Sequence, residues 1–267
     1  MSLISEIRKL RERPLDRWLL PYLLQTGRRL RRPRGAIHVL ICITDHFEPK
    51  GRGVPEEVAR EVARMRVETW VRRYPESFGS FRDSDGRTPR HTFFYPIEEY
   101  DFEPVEALAG LCRAGYGEVE LHLHHDNDTA ENLRKTLREA RECFQSRHGL
   151  LSRDRRTGQV VFGFIHGNWA LDNSRPDGRW CGVNNELDVL REAGCYADFT
   201  FPSVPSATQP WKINSIYYAI DDPERPRSYD RGTDVGTAPA PADGLMLIQG
   251  PLVLDWRRAR WGLLPRS

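Results

Sequence analysis

The sequence predicts a parallel α/β protein, an open sheet or a barrel, preceded by a helical arm. Strand-like and helix-like segments alternate with short links. Residues 37–44 (IHVLICIT) form a nearly continuous β-branched apolar run, the signature of a strand buried on both faces. Several strand-like segments end in histidine, aspartate or tryptophan, at the end where parallel α/β folds bind ligands.

Taken in order, residues 3–24 have apolar positions at helical spacing (Leu3, Ile4, Ile7, Leu10, then Trp18 to Leu24). After the 37–44 strand, Pro55 opens a helix to about Arg73, with Glu56 and Glu57 at its positive end. Residues 91–95 (HTFFY) read as a second strand, 104–114 as a helix stopped by Gly115, and 119–122 as a third strand. Asp128, with Glu131 three residues on, opens a helix to about Ser146 in the manner of a capping box. Residues 159–165 (QVVFGFI) are a fourth strand, and Asn184 or Asn185 caps a helix ended by Gly194. Residues 197–201, 214–220 and 245–249 are further strands.

The net charge of +2 conceals an asymmetry. Residues 1–35 carry ten Arg or Lys against three acids, about +7, and the remainder carries 30 against 35, about −5. This basic arm suits either a helix on an anionic membrane surface or one packed against the domain. The acidic body argues against nucleic acid as a partner. Five cysteines without paired spacing suggest reduced, mostly buried thiols in a cytoplasmic protein, peripheral at the inner membrane face if the arm binds lipid. No apolar run spans a bilayer, and basic residues interrupt any signal-peptide-like segment.

The densest chemistry is residues 118–128 (EVELHLHHDND), which place three histidines and two aspartates within seven positions after a strand. Imidazole and carboxylate are the ligand set of zinc and other divalent metals. His122 and His124 share a strand face, and a turn after His122 brings Asp126 back, so the reading is His122 with either His124 or Asp126. His125 faces elsewhere or orients a neighbour. Asp45, at the end of the first strand beside His46, is a ligand or a general base; the plain alternative is a loop cap. Glu48-Pro49 reads as loop chemistry. After the fourth strand, His166-Gly167-Asn168-Trp169 is followed by Asp172 and Asn173. Trp169 offers a face to stack on a sugar, and Asn168, Asp172 and Asn173 offer hydroxyl-binding groups, unless the tryptophan is simply packed. The absence of GxSxG, P-loop and GxGxxG patterns removes support for serine-nucleophile and nucleotide-binding readings.

These residues resemble the polysaccharide deacetylase, or NodB-homology, superfamily (carbohydrate esterase family 4 and relatives). Ile43-Thr44-Asp45-His46 stands where the family has Thr-Phe-Asp-Asp, Thr92-Phe93-Phe94 matches a following TFF strand, and His122 with Asp126 stands at its His-x-x-x-His. The Arg-x-Pro-x-Gly motif is replaced by the segment from His166, and the family's Leu-x-His acid has no counterpart after His166. The resemblance covers roughly residues 36–250. It implies a deformed, partly open (β/α)7 barrel over residues 36–267, with residues 1–35 as a separate arm. It implies Asp45 as base, His46, His122 and Asp126 as metal ligands with His124 beside them, and His166 as the group left to protonate the leaving atom. The expected activity is metal-dependent, zinc foremost, removal of an N- or O-acyl group from a glycan or amino-sugar substrate. Two alternatives stay open: a degenerate barrel that binds a saccharide without turnover in polysaccharide assembly, and a cytoplasmic amidohydrolase acting on a small non-sugar amide.

Overall fold

A computed structural model describes residues 15–31, 34–51 and 53–254. The chain is of mixed α/β structure and divides into two compact units. The first comprises Leu40–His124 and Arg134–Ile165. The second comprises, among the described residues, His125–Leu133 and residues 166–254 together with residues 15–31 and 34–39.

In the first unit, β1 (Thr44–His46), β2 (His91–Pro96) and β3 (Gly117–Leu123) are parallel neighbours, followed in sheet order by β5 (Val160–His166). A short β4 (Ser152–Arg153) runs antiparallel to β5. Every residue of β2 is buried, as expected for a strand with neighbours on both sides and layers on both faces. Helix α3 (Glu56–Phe78) buries Ala59, Ala63 and Val67 at helical spacing. These small side chains let it lie close to α4 (Phe102–Arg113), which buries Val105, Leu108, Ala109 and Leu111. Helix α5 (Ala130–His148) sets Phe144 against Tyr95 and Tyr100.

The 37–44 strand is mostly not formed. Only Thr44–His46 pair, and Ile37, Val39, Leu40 and Ile41 are exposed. The pairing explains this. Thr44 is level with Thr92, near the start of β2, and Thr92 N–H reaches back only as far as the Ile43 carbonyl. Earlier residues have no ladder partner among the described residues.

The second unit opens with α1 (Leu15–Leu24) and a single turn, α2 (Thr26–Arg29). Leu15, Trp18 and Tyr22 of α1 are buried with Ile213, Leu252 and Leu254. Gln25 Nε2 donates to the Ile213 carbonyl at 2.9 Å. Of the aromatic-aliphatic patch that a membrane-surface helix would offer, Trp18 and Tyr22 are used in packing and Leu20, Leu23 and Leu24 are exposed, while residues 1–14 of the arm lie outside the described residues. Among the described residues no helix is long and apolar enough to cross a membrane.

Helix α6 (Glu186–Ala193) starts after Asn185 and ends at Gly194, whose φ of 101° is the left-handed stop that glycine permits. Strand β6 (Cys195–Asp198) pairs in parallel with β9 (Gly244–Ile248). Strand β7 (Ile216–Ile220) is antiparallel to β9 and to β8 (Thr233–Asp234). Two buried tyrosines secure the loops. Tyr217 donates to the Tyr229 carbonyl and Tyr229 to the Thr208 carbonyl, each at 2.6 Å.

Candidate metal centre

The register of the first unit decides what faces what. His46 is level with Phe94, and Phe94 with Glu120, so these three share a face of the sheet. His122 lies two residues beyond Glu120 on that same face, nearer the carboxyl end of β3. Asp45 is level with Phe93 and points to the other face. There its carboxylate meets His91 Nε2 at 3.4 Å, and the His91 ring packs against Trp70, Tyr74 and Phe93.

After β1 the chain turns back sharply. Phe47 N–H adds one more bond to the Phe94 carbonyl, and Glu48 N–H donates to the His46 carbonyl. Arg66 of α3 fixes the turn by donating to the carbonyls of Pro49 and Lys50, both at 3.0 Å. The turn delivers Glu48 into the histidines. Its Oε1 lies 3.4 Å from His122 Nε2, 3.5 Å from His124 Nε2 and 3.8 Å from His46 Nδ1. The rings of His46 and His122 meet edge to face at 4.7 Å, those of His122 and His124 at 4.5 Å. His46, Glu48 and His122 each offer a donor atom within 4.8 Å of the others, which is one of two groups among the described residues placed to hold a metal ion.

The tautomers are set from behind. His122 Nδ1 faces the Ile165 carbonyl at 2.8 Å and must donate to it, since a carbonyl only accepts. Burial holds His122 below the ordinary imidazole range, so its Nε2 is a lone pair. That Nε2 is buried and has no hydrogen-bond partner in the structure. His124 Nδ1 donates to Glu98 Oε1 at 2.6 Å, and its backbone N–H reaches the same oxygen. Its Nε2 points at Glu48 Oε1. Burial works against charge on His124, but Glu48 and Glu98 outweigh it and lift this group to about 9. His122, then His124 and His46, hold the Glu48 carboxyl far below the usual carboxylate range. Imidazole nitrogens and a carboxylate converging on one point form a set that a cation satisfies once it displaces the His124 proton. Partial exposure of His46, Glu48 and His124 leaves one side open, as a catalytic metal site requires.

No protein-family model matches this chain, and no curated protein or solved structure matches it.

The cluster brings together three of the expected ligands, His46, His122 and His124. Its carboxylate is Glu48, which sequence reasoning left to the loop. Asp126 is employed elsewhere: its Oδ1 accepts the Trp180 N–H at 2.6 Å. Asp45 is not in the cluster either, because adjacent residues of a strand project to opposite faces. Asp128 is not a simple helix cap. Thr129 Oγ1 accepts the Asn132 N–H, whereas Asp128 Oδ2 receives His125 Nδ1 at 2.9 Å.

His166 is fully buried, with Nε2 2.8 Å from His125 Nε2 and 3.5 Å from Glu186 Oε1. The segment beyond it is built inward. Asp172 is completely buried, and its carboxylate accepts the Ser228 N–H at 2.6 Å. Asn173 Nδ2 donates to Asn184 Oδ1, while its Oδ1 accepts the Gly182 N–H. Asp172 Oδ2 and both amide atoms of Asn173 are thus engaged within the loop, and Asp172 Oδ1 is buried away from any solvent-facing cleft without a hydrogen-bond partner. Asn168 and Trp169 sit in left-handed backbone, with Trp169 at the margin of exposure.

Proposed function

We propose that the chain is a metal-dependent hydrolase that removes an N- or O-acyl group from a saccharide, acting at His46, Glu48, His122 and His124. The observation that carries this is the convergence of two back-braced imidazole Nε2 atoms on Glu48 at the carboxyl ends of β1 and β3. The order of these segments along the chain is that of the polysaccharide deacetylase motifs, and the reading takes over that superfamily's open (β/α)7 barrel as its scaffold.

A bound divalent cation, zinc foremost, supplies Lewis acidity toward an acyl carbonyl and acidifies a bound water. The chain's own residues do the remainder. The Ile165 carbonyl orients His122, and Glu98 orients His124 while carrying negative charge next to it. Glu99 is the candidate proton carrier in place of Asp45. Its Oε2 is buried without a hydrogen-bond partner. Burial, and then the neighbouring Glu98 and Glu48, raise this carboxyl against the opposing pull of Lys50. A carboxyl raised in this way holds a proton closer to neutral pH, where it is useful to a leaving amine or alcohol.

A second reading is a saccharide-binding protein without turnover. It is favoured by Asp45 facing His91 rather than the cluster. The experiment that separates them is acetate release from N-acetylglucosamine oligomers by the zinc-loaded chain and by its His122→Ala variant. Release that depends on His122 supports the hydrolase. Oligomer binding with no release supports the binder. Release from small non-sugar amides alone reassigns the substrate to that class.

A further inference from the structure

The second group of donors lies wholly within the second unit. His125, His166, Cys181 and Glu186 each offer one ligand atom, all within 4.8 Å of one another. The side chains of His166 and Glu186 are fully buried, that of His125 nearly so, and Cys181 is buried. The two rings are braced as in the first cluster. His125 Nδ1 donates to Asp128 Oδ2 at 2.9 Å, and His166 Nδ1 donates to the Gly167 carbonyl. With both Nδ1 atoms carrying hydrogen, both neutral Nε2 atoms are lone pairs, and they face each other at 2.8 Å. Glu186 Oε1 stands 3.1 Å from the first and 3.5 Å from the second.

Three electron-rich atoms in contact, away from water, need positive charge among them. One proton serves a single pair of these atoms. A divalent cation serves all three and a thiolate besides. Cys181 Sγ accepts the backbone N–H groups of Asn173 at 3.3 Å and Val183 at 3.4 Å, and its thiol hydrogen, directed at Glu186 Oε2 at 3.3 Å, is the proton a cation would displace. Glu186 Oε2 in turn is held by the Asp172 N–H at 2.6 Å. A carboxylate behind one imidazole, a carbonyl behind the other and N–H groups on the sulfur are the outer partners expected around a metal.

We infer that His125, His166, Cys181 and Glu186 form a closed, four-ligand site for a divalent cation of the zinc class, and that this cation staples the segment between His166 and Glu186. One carboxylate, two imidazoles and one thiolate make a tetrahedral donor set with no position left for water, which marks a structural rather than a catalytic site. The stapled segment has a reason to need it. Asn168, Trp169, Asp172, Asn173 and Trp180 all have φ between 48° and 68°. Non-glycine residues hold such conformations only where their surroundings fix them. The inference stands independently of the hydrolase reading, since it uses none of that cluster's residues.

The test is cobalt(II) titration of the metal-stripped full chain. Of the two clusters only this one contains a sulfur, so thiolate-to-cobalt charge-transfer absorption reports on it alone. The expected result is that band in the unmodified chain and in His122→Ala, and its loss in Cys181→Ser. Asp128→Asn, which keeps the ligands and weakens the brace on His125, should lower cobalt affinity about tenfold. Should Cys181→Ser fail to fold, X-ray absorption at the cobalt edge of the unmodified chain gives the answer, with one sulfur among the neighbours expected. Cobalt bound with no sulfur neighbour, or no cobalt bound at all, overturns the inference.

Discussion

Asp45 and His46 are consecutive in one strand and serve opposite faces of the sheet. His46 joins Glu48 and His122, whereas Asp45 meets His91 at 3.4 Å among the rings of Trp70 and Phe93. The two residues are therefore expected to respond differently to substitution. His46→Ala removes a ligand and should cost tenfold or more in metal affinity at the first cluster, by the order of magnitude that loss of a supporting contact already produces. Asp45→Asn should leave that affinity within about twofold, because its carboxylate contributes nothing to the donor set. Metal titration of the two variants checks the contrast, and equal losses would refute the assignment of faces.

Glu99→Gln removes the only proton that Glu99 can carry while keeping its size. Acyl release should fall by about 10² to 10⁴, the range for loss of a general acid or base, with metal content unchanged. The limb of the pH–rate profile that falls with rising pH should vanish in the variant, since the raised Glu99 carboxyl is useful only while protonated. Steady-state rates across pH on metal-loaded protein provide the measurement.

Asp198 offers a pH test of stability. Its carboxyl is fully buried, and burial pushes it up to about 7 despite hydrogen bonds from the Thr200 N–H and Oγ1. The unfolded value is about 3.9. A group raised on folding stabilises fully below its unfolded value, and this contribution is lost as pH rises through the folded value. Stability from Asp198 should thus decline between about pH 4 and pH 7 by a few kcal/mol and then level off. Subtracting the denaturant stability of Asp198→Asn from that of the unmodified chain at each pH isolates this slope.

Trp18 anchors α1, fully buried and edge to face with Tyr22 at 5.9 Å. Trp18→Ala should cost about 3–5 kcal/mol, the usual range for emptying a buried aromatic site. Urea denaturation would show it as a lowered midpoint. A change below about 1 kcal/mol would mean that the helix is only loosely held against Ile213 and Leu252.

The sequence carried the alternating α/β order because strand and helix periodicities are local. Thus 91–95 and 159–165 point directly to β2 and β5. It carried the metal-competent character of His46, His122 and His124 for a similar reason: each stands at or just beyond the carboxyl end of a strand. Glu48 was not legible, since its role depends on a turn fixed by Arg66, eighteen residues downstream, through the carbonyls of Pro49 and Lys50. A usable signal was present for Asp45, as strand alternation alone sets neighbours on opposite faces. The grouping of His125, His166, Cys181 and Glu186 was hidden because its members come from two loops, a strand end and a helix start. The 37–44 run misled for a different reason: composition reports a strand's apolarity, not whether a neighbour is long enough to pair with it.

The most direct test is the zinc-edge anomalous difference map from crystals of the zinc-loaded chain. The account requires a peak bonded to His122 Nε2, Glu48 and His46, with His124 Nε2 beside it. Density showing no zinc there, with His122 Nε2 bonded to a protein hydrogen donor instead, would contradict it.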